Sequence, residues 1–412
     1  MAETSELQQA LAETSSVTPQ AAYRIASLDI FRGLTMLVMV FVNDVSGVRG
    51  LPWWTHHMPD NVNGMTYVDM VFPTFLFLVG MSIPLAIGSR QAKGESLSRI
   101  FVHVLVRSIG LVVIGLLLAN LGNVDPQKTG ISERLWDWLV FVGVVLVWNR
   151  YPRSTTFGMF YRVLRWSGLL LLAWLVFIFR RTTGQNGTAS LDFSYPEILG
   201  LIGCAYFSVC VLYLLLKKNF WMLVVGLAAL NGLNILAHMG LLRWLDNVPY
   251  YFWPLGAGDS ASITMAGVVA YFIFFDKNVA ATSQSKAAWA AVYAAVLFCA
   301  GWASTPLGIS KNRGTPTWCL YSAAACVVIF LLLYWVAEVR RWTRWAGFVH
   351  PAGSNTLTTY LLPWMCYSIP LVNRISASGS VGGVGVLRAF IFTGFILALA
   401  ALALRLRIRL QL

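Results

Sequence analysis

Twelve long apolar runs recur along this 412-residue chain, and they settle its solvent before anything else. About 20 apolar residues in a helix cross the ~30 Å hydrocarbon core of a bilayer. The runs lie near 28–48, 66–88, 100–121, 135–149, 160–180, 196–216, 219–238, 258–276, 287–303, 317–337, 354–373 and 385–404. A membrane β-barrel needs alternating apolar and polar residues, whereas these runs are continuous. The expectation is an all-α polytopic membrane protein with about 12 transmembrane helices. The run at 135–149 is the shortest of the set.

Charge gives the runs a direction. The net charge is +13, yet the basic residues sit at the ends of apolar runs and form no single patch. That is a topology signal and argues against a nucleic-acid partner. Alternating the runs from a cytoplasmic N-terminus puts eighteen Lys and Arg residues inside and nine outside, with Arg32, Arg107 and Arg388 within runs. The bias predicts cytoplasmic N- and C-termini. Residues 1–24 hold Glu3, Glu6 and Glu13 and only one basic residue, Arg24, so they read as a flexible cytoplasmic tail and not as a signal peptide. The six cysteines lie in or beside apolar runs without metal-ligand spacing and read as small core residues.

The stretch Ser27–Arg90 concentrates the chemistry. Two apolar runs flank an outer loop containing Trp53, Trp54, His56, His57, Asn63, Thr66 and Asp69. An ionisable group in a membrane segment is costly and marks a candidate site. Asp29 and Arg32 are three apart on one helix face, and Asn43 returns to nearly the same azimuth ~16 Å further along. Such a pair either neutralises itself at the interface or meets an anionic ligand from the cytoplasm. An imidazole in the loop can serve as base, acid or acyl acceptor near neutral pH, with Asp60 or Asp69 fixing its tautomer. Adjacent histidines are poorly placed to share one ion, so no metal is expected. Pro73 and Pro84 are expected to kink the second helix. Lys311 and Arg313 lie on the outer side, against the prevailing charge bias. Interfacial aromatics are expected at Trp244, Tyr250, Tyr251 and Trp253.

Several blocks resemble one family. They are Leu28–Gly33 (LDIFRG), Val40–Asn43 (VFVN), Asn63–Thr66 (NGMT), Asp69–Pro73 (DMVFP) with Phe75–Phe77, then Lys311 with Thr315–Thr317, and Ser354–Leu357 (SNTL). In this order they resemble the heparan-α-glucosaminide N-acetyltransferases and their bacterial inner-membrane homologues, the NagX-like transmembrane acyltransferases. The resemblance implies transfer of an acetyl group from cytoplasmic acetyl-CoA to an amino sugar across the membrane, with no metal. It places the catalytic histidine at His57 or its neighbour His56, supported by Asp69 and Asn63. It implies that Arg32, Asp29, Asn43, Lys311 and Asn355 serve the acetyl-CoA side, Lys311 also being placed, like Asn43 and Asn63, to stabilise an oxyanion. His57 stands six residues before Asn63, and Val62 occupies a position where the family has tryptophan. Residues 25–412 are then one transmembrane acyltransferase domain, in which 135–180 reads as a two-helix insertion. The implied partners are the lipid bilayer, acetyl-CoA, an amino-sugar or glycan acceptor and a second copy of the chain. Two other functions fit the same runs: acyl transfer to another glycan or lipid-linked acceptor, and a 12-helix secondary transporter.

Overall fold

The structure, a computed structural model, describes residues 25–152, 157–184, 187–216, 218–245, 258–378 and 381–411. The predicted tail over 1–24 and the interfacial Tyr250, Tyr251 and Trp253 lie outside the described residues. Among the described residues there are twelve helices of twelve residues or more, one on each predicted run. They are α1 (Ala26–Val45), α2 (Val71–Ala92), α3 (Leu97–Ala119), α4 (Glu133–Trp148), α5 (Gly158–Ile178), α6 (Glu197–Leu215), α7 (Phe220–His238), α8 (Asp259–Phe275), α9 (Ser283–Ala303), α10 (Pro316–Tyr334), α11 (Thr356–Tyr367) and α12 (Gly382–Arg405).

Nine of the described helices are long and apolar enough to cross a membrane. The shorter three are α4 with 16 residues, α8 with 17 and α11 with 12. Each stops for a local reason. α4 runs into Asn149, Arg150 and Pro152. α8 is bounded by Gly258, at φ 87°, and by Asp276. α11 contains Pro363 and ends just before Pro370 opens a further helix, Pro370–Ser378. In α2 the two prolines expected to kink the helix are placed differently. Pro73 falls in the first turn, where a missing N–H costs nothing, and Pro84 alone lies inside the helix.

Lipid tails give no hydrophobic drive between helices, so close backbone approach has to bind them, and glycines permit it. At Gly80 of α2 an added Cβ would stand 1.8 Å from the Thr264 carbonyl oxygen of α8. At Gly267 of α8 it would stand 2.0 Å from the Phe77 carbonyl oxygen of α2. The two helices therefore interlock backbone to backbone. α3 meets α6 in the same way at Gly115, where a Cβ would lie 2.1 Å from the Pro196 carbonyl. α4 and α5 pack on each other through Gly143 against Leu172 and Gly168 against Leu146.

Contacts between connections join segments that strict alternation of the helices puts on one face. On one side, Asp125 N–H bonds the Arg180 carbonyl, Gly382 N–H the Arg49 carbonyl, and Gly64 N–H the Ile309 carbonyl. On the other, Arg150 N–H bonds the Arg409 carbonyl, and Glu338 accepts from both the amide and hydroxyl of Ser27 at 3.1 Å. The connection between α5 and α6 holds a small antiparallel pair, β1 (Arg181–Thr183) with β2 (Gly187–Ala189).

Two groups of buried polar residues tie helices together. Asp44 of α1 pairs with Arg388 of α12 at 2.9 Å and accepts the Tyr367 hydroxyl of α11. Glu197, at the start of α6, accepts the Tyr360 hydroxyl of α11 at 2.8 and 2.9 Å.

Candidate functional site

The loop after α1 folds back on itself before α2 begins. A short 3-10 turn, Val68–Met70, carries Asp69 into the protein, leaving its side chain 2% exposed. A carboxylate taken from water needs donors, and here they are local. Thr66 N–H donates to Asp69 Oδ2 at 3.0 Å and Met58 N–H at 3.3 Å. The other oxygen, Oδ1, lies 2.7 Å from His57 Nδ1. Trp318 of α10 donates its indole N–H to the Asp69 carbonyl at 3.1 Å. Asp69 is thus held from both sides of the loop and from α10.

The carboxylate assigns the proton on His57. Nδ1 faces an acceptor and so carries hydrogen, which leaves the lone pair on Nε2. The ring is 39% exposed, enough for a ligand to reach it. Lys311 lies against this ring, its Nζ 3.4 Å from Nδ1 and 3.5 Å from Nε2. Burial pushes the Lys311 amine below the usual lysine range, and the Asp69 carboxylate partly opposes this.

Lys311 arrives on a tight loop between α9 and α10. Ser310 N–H bonds the Thr315 hydroxyl at 3.0 Å, and Gly314 N–H bonds the Lys311 carbonyl at 3.0 Å. Gly314 sits at φ 60°, where a Cβ would fall 2.5 Å from Asp259 Oδ2, so this turn needs glycine. The loop presents three consecutive polar side chains to the His57 loop. Lys311 meets His57, Asn312 donates to Asp60, and Arg313 donates to Asn63 Oδ1 at 2.7 Å.

The structure therefore brings His57, Asp69, Asn63 and Lys311 together across about 250 residues of sequence. His56 faces elsewhere. Its Nε2 lies 3.1 Å from the Val48 carbonyl and its Nδ1 3.0 Å from the Thr55 hydroxyl, while its carbonyl accepts from Thr66 at 2.9 Å. Asp29 and Arg32 form an ion pair at 3.2 Å, and Arg32 also donates to Ser82 of α2 at 3.0 Å. Asn43 is exposed near the end of α1. Asn355 is buried, donating to the Ile408 carbonyl at 2.9 Å and accepting from Thr358 at 2.7 Å, so it anchors the C-terminal segment. An apolar groove of about 610 Å³ opens beside the site, lined among others by Met65, Thr66, Tyr67, Met70, Phe298 and Tyr321.

Residues 24–240 match the family described as "Domain of unknown function (DUF5009)". The chain belongs to the DUF5009 family. The DUF5009 match spans α1 to α7, so it contains the His57–Asp69 loop and stops before Lys311 and Asn355. The resemblance read from the LDIFRG and Asn63–Pro73 blocks is also found. The mouse (Mus musculus) heparan-alpha-glucosaminide N-acetyltransferase is 26% identical over 373 residues, covering 83% of this chain and 53% of that protein. The human (Homo sapiens) heparan-alpha-glucosaminide N-acetyltransferase is 36% identical over 119 residues, 27% of this chain and 17% of that protein. The longer of these two matches spans about half the length of the relative.

Two features of the structure were not drawn from the sequence. Arg313 and Asn312 as partners of Asn63 and Asp60 needed the fold, although a charge against the expected bias already marked Arg313 as unusual. The buried pair of Glu197 and Tyr360 had only a weak signal, an acidic residue at the head of an apolar run.

Proposed function

We propose that this protein is a transmembrane acetyltransferase moving acetyl from cytoplasmic acetyl-CoA to a glucosamine-type amino sugar on the extracytoplasmic side. The observation that carries the proposal is the His57–Asp69 pair with Nε2 bearing the lone pair and Lys311 against the ring. The name of the mouse and human relatives gives the reaction class.

The chemistry follows from those three groups. The acceptor amine attacks the thioester carbonyl carbon while His57 Nε2 takes its proton. Asp69 holds the imidazole in the right tautomer and balances the imidazolium that forms. The carbonyl oxygen gains negative charge, which the Lys311 ammonium stabilises. The carbon–sulfur bond then breaks, and the CoA thiolate takes the proton from His57. In a two-step variant Nε2 itself attacks and carries the acetyl group before the amine receives it. His56 shapes the loop in this scheme, and Asn63, fixed by Arg313, lines the acceptor side.

The rest of the chain fits the task as follows. It is a multi-pass protein of the bacterial inner membrane with both termini in the cytoplasm, as the charge bias indicates. All twelve helices cross, α4, α8 and α11 doing so in thinner or kinked form. Residues 25–412 form one catalytic domain, with the mutually packed α4 and α5 as its two-helix insertion. Arg32, backed by Asp29 and Ser82, meets the CoA phosphates at the inner end of α1, and Asn43 lies on the path toward His57.

Purified protein in nanodiscs, given labelled acetyl-CoA, is expected to bind it and to acetylate glucosamine-type acceptors. Absence of both binding and transfer would end this reading. The groove beside Thr66 favours a second reading of the acceptor, a lipid-linked amino sugar whose chain lies in that groove. A clear preference for the lipid-linked over the free sugar selects the second reading.

A further inference from the structure

His238, the last residue of α7, lies outside the proposed reaction, yet its surroundings are unusual. Its Nδ1 is 3.0 Å from the Asn234 carbonyl oxygen, and its Nε2 is 3.0 Å from the Arg313 carbonyl oxygen. Carbonyl oxygens only accept. A neutral imidazole has one N–H and satisfies one of them; an imidazolium has two and satisfies both. One turn earlier, buried Asn234 donates to the Gly314 carbonyl at 3.0 Å. The last turn of α7 therefore grips two successive carbonyls of the loop that carries Lys311. On the far side of that loop Gly314 leaves no room, since a Cβ there would meet Asp259. The loop is held between α7 and α8 while its side chains reach His57, Asp60 and Asn63.

From this geometry we infer that His238 is a positioning residue, which donates from Nε2 to the Arg313 carbonyl and so sets Lys311 against His57. The charged and titratable groups around it are few among the described residues. The Asp259 side chain of α8 stands against Gly314 across the loop, the Cys319 thiol of α10 lies beside Asn234, and the Arg313 guanidinium points away to Asn63. Without the Nε2 donor the Arg313 carbonyl loses its partner and the loop loosens.

The kinetic part of the test rests on the acetyltransferase reading, so a second readout independent of activity accompanies it. Full-length wild type, His238→Ala and His238→Gln would be compared in nanodiscs by acetyl-transfer kinetics and by amide hydrogen exchange over 308–316. In the alanine variant kcat should fall about tenfold with the acetyl-CoA KM unchanged, and the Gly314 amide should exchange about tenfold faster. Glutamine offers two N–H donors from one amide and should restore both values to within about twofold. If the alanine variant fails to fold, His238→Phe, which keeps a ring and offers no donor, is measured in its place. Wild-type exchange in the alanine or phenylalanine variant, or exchange as fast in the glutamine variant as in the alanine variant, overturns the inference. A wild type that transfers no acetyl group overturns the reaction but leaves the exchange result standing.

Discussion

Two clusters in this protein are assembled from similar parts and suit opposite tasks. Asp69 meets His57 and Lys311 where the loop after α1 meets the loop before α10, and Asp44 meets Arg388 and Tyr367 between α1, α11 and α12. Both aspartate side chains are 2% exposed. The difference lies in the partner. Arg388 is 14% exposed and turned onto the carboxylate, and Tyr367 takes the other oxygen. His57 is 39% exposed and uses one nitrogen to hold the carboxylate, leaving a lone pair on the other. A buried carboxylate is therefore no guide to chemistry by itself. What separates a reactive site from a clamp is a partner with a second functional atom facing outward.

Breaking the reactive cluster should give the largest effect. His57→Ala is expected to lower kcat about a thousandfold with acetyl-CoA binding retained, measured by transfer assay beside thermal shift with the cofactor. Full activity in the double variant His56→Ala/His57→Ala would remove histidine from the mechanism altogether. Next comes the clamp. Arg388→Ala leaves a charge buried without its cation and should cost about 3 kcal/mol of stability, seen as a lowered melting temperature in detergent. The paired change Asp44→Asn/Arg388→Met should recover much of that loss. If Arg388→Ala instead spared stability and abolished transfer, the contrast drawn between the two clusters would collapse.

Asp69→Asn comes third, and should reduce kcat by about a hundredfold, because an amide can accept from or donate to Nδ1 and no longer dictates the tautomer. The smallest effect concerns Lys311. Its amine loses charge at a lower pH than an ordinary lysine, so oxyanion stabilisation should fade as the pH rises through that lowered value. Lys311→Arg should move the alkaline limb of the pH–rate profile upward, and Lys311→Met should cost about tenfold and flatten it. An unchanged alkaline limb in the arginine variant would assign that limb to another group.

Much of this was legible before any coordinates. Continuous apolar length dictates helix count, because the bilayer fixes how long a span must be, and every predicted run became a helix. The local pattern from His57 to Asp69 could be read because its bonds join residues 12 apart. The reach of Lys311 to His57 could not be derived from spacing, since 254 residues and a tertiary contact separate them; only the family blocks placed both in one site. The choice between His56 and His57 was beyond sequence too. It turns on which ring faces Asp69 and which faces the Val48 carbonyl. Arg388 was visible as a charge within an apolar run, and its pairing with Asp44 depends on how α12 returns beside α1.

The glycine interlock of α2 with α8 reaches further than packing. Asp69 stands at the head of α2, and Asp259, which backs the Lys311 loop, stands at the head of α8. One half of the site is thus mounted on a splinted beam, and the other, carried between α9 and α10, rests against the second member of that beam; the joint lies at Gly80, about 16 Å below Asp69. A methyl group added at that joint would wedge the beam apart and spread the distance between His57 and Lys311 without touching either. In the proposed reaction the joint makes the spacing of the two groups a matter of leverage, set by a contact that neither of them touches.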